Sequence, residues 1–275
     1  MYCLARTSRA ASRSRPQHYG YLAHGVCQAS TGTCTTKATD DGERLATTTF
    51  NIQLIQSIKP FPKWLEGEMR SNHAGETGAV AIYEGALKAL DIRSTMSLSY
   101  GDTGKDQLMS YEDRLRVFSL EHRDSEQSHV ELLEAVLDGD GVSVLLPAWR
   151  IAGFSLGFAS TIFCPRGMYL TTEAVETFVE EHYMAQIRTL RYEAAKEGLC
   201  SGDQDNANAA RKSLKARAEL ISMLVHCCED EVHHKEEARD RAAEGPFPWF
   251  PWVDTSWQWF VRTGSAVAAN CAKRI

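Results

Sequence analysis

Six side chains in this sequence have the types and spacing of a buried metal site: Glu76, Glu126, His129, Glu176, Glu231 and His234. They occur in the order Glu, Glu-x-x-His, Glu, Glu-x-x-His. Residues three apart on a helix share a face, so each Glu-x-x-His pair can bind one ion. A lone ionised carboxylate in a core costs several kcal/mol or changes its protonation state. Four helices that each bury a glutamate therefore need positive charge among them. Two cations supply it, and iron and manganese accept carboxylate and imidazole together.

A single Glu-x-x-His is weak evidence, because the pair arises by chance on solvated helices. Here each member lies on an apolar stripe of helical spacing. Met69, His73, Glu76, Val80, Tyr83 and Leu90 form one stripe, and Leu115, Phe118, His122, Glu126, His129 and Leu133 a second. Glu176, Val179, Tyr183, Ile187 and Leu190 form a third, and Leu220, Leu224, Cys227, Glu231, His234 and Ala238 a fourth. In the last stripe Glu229 and His233 share a wetter face with Ser222 and Glu236, so Glu231 and His234 are taken as the pair. His122 sits on the Glu126 stripe and is read as a core histidine hydrogen-bonded to a neighbour, with ligation as the alternative.

The stripes place helices over roughly 62–92, 106–138, 144–163, 171–197, 207–242 and 255–273. Polar, Gly- and Asp-containing stretches at 94–106 and 198–206 read as loops. Strand-like alternation is scarce, so the fold class is all-α. The pattern matches carboxylate-bridged di-iron or di-manganese four-helix bundles of the ferritin-like class. In that arrangement Glu76 and Glu176 are terminal ligands, Glu126 and Glu231 bridge, and each histidine binds one ion. The order of the ligands suggests two helix pairs related by a pseudo-twofold axis.

Residues 1–50 read as a targeting or disordered segment outside the folded domain, which spans 55–275. The first 39 residues hold Arg6, Arg9, Arg13, Arg15 and Lys37 and no acid, as a mitochondrial transit peptide does. The remainder carries 25 basic and 36 acidic residues, a balance that argues against nucleic acid. The eight cysteines contain no C-x-x-C and fit a reducing compartment. No G-x-G-x-x-G is present, so no Rossmann-type nucleotide site is expected.

Several runs resemble the 5-demethoxyubiquinone hydroxylase family over about residues 55–275: NHAGETGAVAIYEG (Asn72 to Gly85), EQSH (Glu126 to His129), LLPAW, GFSLG, AVETFVEEHYMAQIRTL (Ala174 to Leu190) and DEVHH. The resemblance implies a di-iron monooxygenase that hydroxylates the ring of a polyprenylated demethoxy benzoquinol with O2, using electrons ultimately from NADH. All six ligand positions carry over without substitution. His182 and Tyr183 match a His-Tyr pair close to the metals, which implies a role for Tyr183 in substrate contact or electron transfer; a plain core tyrosine is the alternative. A lipid-binding partner protein of ubiquinone biosynthesis is also implied, with a peripheral position on the matrix side of the mitochondrial inner membrane. The loops near 94–110 and 198–210 are longer than the family pattern, and 245–260 is unusually aromatic.

Segment 144–163 is mostly apolar but contains Pro147 and Arg150, so a membrane span is not expected. It reads as an interfacial helix, or alternatively as a core helix, and its Gly153 and Gly157 allow close approach of a neighbour. The Trp-rich stretch 246–260 suits lipid headgroups or a docking patch. Two rival functions remain open from sequence: another ferritin-like activity such as ferroxidase or peroxidase, and a metal-free lipid-binding scaffold subunit.

Overall fold

The structure is a computed structural model, and it describes residues 22–27, 33–39, 49–97, 105–139, 141–200, 207–245 and 251–274. The described residues form an all-α fold: a short α1 (Ile52–Gln56) and the long helices α2 (Lys63–Ser97), α3 (Lys105–Leu137), α5 (Pro165–Cys200) and α6 (Ala207–Ala243), with α4 (Leu146–Phe163) and α7 (Pro251–Ala272) alongside. Strands β1 (Leu22–Cys27), β2 (Thr33–Thr39) and β3 (Thr49–Asn51) make a small antiparallel sheet in that order. These strands fall where the sequence predicts no regular element. The Arg-rich residues 1–21, the loop residues 98–104 and 201–206, and residues 246–250 lie outside the described residues.

Two helix starts correct the sequence reading. The helix expected from 171 begins at Pro165, and the one expected from 255 begins at Pro251. Proline punctuates a pattern, but at the first helical position it costs nothing, because that residue's N–H has no intrahelical partner anyway. A side chain caps α1: the Asn51 Oδ1 accepts from the Leu54 N–H at 2.9 Å.

The four long helices share two apolar clusters with a polar belt between them. On one side Met69, Leu132, Leu133, Ile187, Leu220 and Leu224 pack together. On the other are Tyr83, Leu115, Phe118, Tyr169, Ala174 and Ala238. Each long helix thus contributes residues to both clusters, and its Glu or Glu-x-x-His falls at the point where it passes from one to the other. Burial of the apolar clusters fixes helix register and so fixes which polar side chains meet.

α4 rests on α2 through glycines. A Cβ at Gly157 would stand 1.8 Å from the Ile82 carbonyl oxygen, one at Gly85 2.1 Å from that of Phe154, and one at Gly153 2.3 Å from that of Gly78. Only bare backbone fits at these three positions. The close approach anticipated at Gly153 and Gly157 is therefore present, and it turns the rest of α4 outward. Ile151 is 69 % exposed and Phe163 84 %. No helix among the described residues is long and apolar enough to cross a membrane.

α7 is tied across α5 and α2 by polar bonds. Arg166 clamps Asp254 with two bonds of 2.9 and 2.8 Å, and Trp257 Nε1 donates to Thr171 Oγ1 at 2.9 Å. At the far end Lys273 meets Glu68 at 2.8 Å. Trp252 and Trp259, by contrast, point outward.

Candidate metal centre

All six expected residues are buried in the polar belt. Ligand atoms from Glu76 (α2), Glu126 and His129 (α3) and Glu231 (α6) lie within 4.8 Å of one another. His129 Nδ1 stands 3.2 Å from Glu231, 3.6 Å from Glu126 and 3.9 Å from Glu76. His234 Nδ1 joins the group at 3.1 Å from Glu126 and 3.4 Å from Glu231. Glu176 on α5 is buried beside the same carboxylates. Glu229 and His233 face outward, so the register chosen from the stripes is the register of the fold.

The donor set fits a pair of divalent cations. Four carboxylates and two imidazoles converge, and two divalent ions would neutralise them. Several buried atoms have no hydrogen-bond partner: Glu126 Oε2, both oxygens of Glu231, and His129 Nδ1. Such groups are costly unless something binds them. Their contacts with each other are close but lack hydrogen-bond geometry, as expected of atoms that point at a common centre rather than at one another.

Electrostatics say the same. Burial, together with the neighbouring Glu126, pushes the Glu76 carboxyl up to about 7, although His129 opposes the rise. Burial and then Glu231 and Glu126 hold Glu176 well above the carboxylate range. For Glu126, burial and Glu231 act upward, but the neighbouring imidazoles of His129 and His234 outweigh them and leave it below its usual value. Burial opposes charge on His234, yet its hydrogen bond to Glu126 and the nearby Glu231 carboxylate lift it to about 10. In the protein alone, protons on imidazole and carboxyl stand where cations would otherwise neutralise the cluster.

Surrounding side chains hold the cluster residues in place, and the sequence reading missed two of them. His129 Nε2 is 3.1 Å from Asp230 Oδ2, which leaves Nδ1 toward the three glutamates. Burial acts to raise Asp230, but its bond to His129 holds it below the usual range. His122 is not among the converging atoms. Its Nε2 meets Glu237 at 3.2 Å and its ring lies 4.1 Å from that of His234, edge to face. That is the hydrogen-bonded core histidine expected, with Glu237 as the unanticipated partner. Asp230 and Glu237 both lie on α6, immediately before Glu231 and three residues after His234. Their position was a usable signal, but on a helix so rich in acids it did not stand out.

Tyr183 reaches the centre: its hydroxyl donates to Glu76 Oε1 at 2.5 Å. His182 takes another direction, standing 3.3 Å from Glu68 and stacked on Phe178. Both line an apolar cavity of about 480 Å³ between α2, α4, α5 and α7, whose wall also holds Glu76, Glu176, Trp149 and Phe260. The carboxylate cluster therefore opens onto a greasy chamber, and the outer sides of two of its walls, α4 and α7, expose large apolar side chains.

The profile of the family described as ubiquinone biosynthesis protein COQ7 matches residues 103–272. That span holds five of the six cluster residues; Glu76 precedes it. The human mitochondrial NADPH-dependent 3-demethoxyubiquinone 3-hydroxylase is 30 % identical over 178 residues, covering 64 % of each chain. The Dictyostelium discoideum protein of that name is 31 % identical over 128 residues, 46 % of this chain and 50 % of its own. The Caenorhabditis elegans one is 24 % identical over 214 residues, 77 % and 90 %. The chain thus spans between half and two thirds of the length of the first two of these relatives. With a profile match over more than half of its residues, the chain belongs to the ubiquinone biosynthesis protein COQ7 family.

Proposed function

We propose that this protein is a di-iron monooxygenase that hydroxylates the ring of a polyprenylated demethoxy benzoquinol, with O2 as the oxygen source. The observation that carries the reading is the junction of a buried Glu/His cluster with an apolar cavity, in a chain of this family. Glu76, Glu126, His129, Glu176, Glu231 and His234 would hold the two ions. Bound iron would supply the reduction and activation of O2.

The protein's own residues do the rest. Asp230 fixes the ring of His129 through Nε2, and Tyr183 fixes the Glu76 carboxylate through its hydroxyl. Glu76 and Glu176 stand where cluster and cavity meet, so a ring in the cavity lies against the reacting end. The apolar lining excludes water and favours a neutral quinol. The tail of such a substrate is insoluble in water. The outward aromatic and aliphatic side chains of α4 and α7 suit a lipid surface, from which the tail would enter the cavity. The same surface would serve a lipid-binding partner protein.

The basic, acid-free residues 1–39 and the mitochondrial relatives support a mitochondrial location, peripheral on the matrix side of the inner membrane. Electrons come from a reduced nicotinamide nucleotide. The sequence reading named NADH, whereas the relatives' names specify NADPH, so both are to be compared in the assay.

The test is reconstitution with ferrous iron under anaerobic conditions, then oxygen and a short-tailed demethoxyquinol. About two irons per chain and formation of the hydroxylated quinol are expected. Iron binding with oxidation but no quinol turnover would favour a ferroxidase. Failure to bind iron would favour a metal-free scaffold. Cells lacking the protein should accumulate demethoxyubiquinone.

A further inference from the structure

Glycine inside a helix is the least favourable residue after proline, so an interior helical glycine calls for a reason. Gly85, Gly153 and Gly157 have one, since a Cβ at each would strike the backbone of the facing helix. Gly75 and Gly78 on α2 and Gly264 on α7 do not. A Cβ at any of the three would meet nothing within 4 Å. None has a positive φ. All three line the 480 Å³ cavity, and Gly75 and Gly78 flank Glu76. Gly75 and Gly264 are exposed and Gly78 is half-buried, so the cavity is open to the outside past these positions.

We infer that Gly75, Gly78 and Gly264 are specificity-determining residues that keep the α2 and α7 walls of the open cavity bare, so that a flat, substituted ring can pass between them and lie against the backbone of α2 beside Glu76. This rests on the quinol reading for the identity of the occupant. It adds which residues set the shape of the space and why they are glycine. Side chains at these positions would stabilise the helices and fill the chamber, so the two effects should separate in opposite directions.

Gly264→Ala leads the test, because α7 carries none of the six cluster residues. Gly78→Ala and Gly264→Leu complete the series, all in the full-length, iron-loaded protein. Melting temperature, iron per chain, KM and kcat for a short-tailed demethoxyquinol, and quenching of tryptophan fluorescence by a short-tailed benzoquinone are measured. Both alanine variants should melt about 2–4 °C higher and hold the same iron. Their KM should rise about tenfold, and that of Gly264→Leu about 100-fold. Quinone binding should weaken in parallel, with kcat less affected. Unchanged KM and quinone affinity in Gly264→Leu would overturn the inference, as would alanine variants that melt lower than wild type. If the wild type binds the benzoquinone but does not hydroxylate, the functional reading fails while the binding series still decides the role of the glycines. If the wild type binds no quinone at all, both fail.

Discussion

The two halves of the candidate metal centre have the same residue types, a Glu and a Glu-x-x-His, and different surroundings. In the half built by α2 and α3, Glu76 accepts a hydrogen bond from Tyr183, and His129 is held from behind by Asp230. Three of the four atoms that gather within 4.8 Å come from this half, and the fourth is the Glu231 carboxylate. In the half built by α5 and α6, Glu176 faces the cavity, and His234 meets the ring of His122 edge to face. The pseudo-twofold order in the sequence therefore does not produce two equivalent surroundings. The α2–α3 half is drawn together by polar neighbours, while the α5–α6 half places His234 against the aromatic cluster of Tyr83, Phe118 and His122; both halves reach the chamber, through Glu76 and Glu176.

Removing a residue common to both halves should erase the distinction. Glu126→Ala is expected to abolish hydroxylation and iron binding at both positions while keeping the helical circular dichroism. Normal turnover in that variant would sink the assignment of the site. Asp230→Asn tests the first half alone. It leaves every ligand in place but releases His129, so a loss of about 10–100-fold in activity or iron affinity is expected. Mössbauer spectra should show one perturbed iron of two; equal perturbation of both would break the asymmetry.

Tyr183→Phe should cost less, about tenfold, because Glu76 keeps its burial and its neighbours and loses one donor. An unchanged rate would return Tyr183 to a packing role. The smallest effect expected is on stability. Glu76 stands at about 7 against an ordinary 4.5, and His234 at about 10 against 6.5. Both folded values are raised, so these two groups bind more protons in the metal-free folded protein than in the unfolded chain between about pH 5 and 10. Their contribution to stability should be fully present below the unfolded values and be lost as pH rises through that window. Iron loading replaces those protons, so melting curves of the loaded protein should flatten across the same range.

Much of this was legible before any coordinates. The 3.6-residue stripes gave four helices with the right faces, because a core-facing helix must repeat its apolar residues at that period. They also separated Glu231 and His234 from Glu229 and His233. The small sheet and α1 were missed because short elements leave too few residues to show a period. The helix expected from 171 begins six residues earlier, because Pro165 opens it. Asp230 and Glu237 look like ordinary surface acids until α3 is placed beside α6.

By itself, the sequence determined which carboxylates and imidazoles share a buried helix face, since the apolar residues flanking them at helical spacing fix that face, and that constraint acts within each helix. Only the tertiary structure decided that the two halves differ and that the cluster opens onto a cavity. It also decided which glycines are packed against backbone and which border empty space. Those are properties of distances between helices, which no periodicity along one chain segment records.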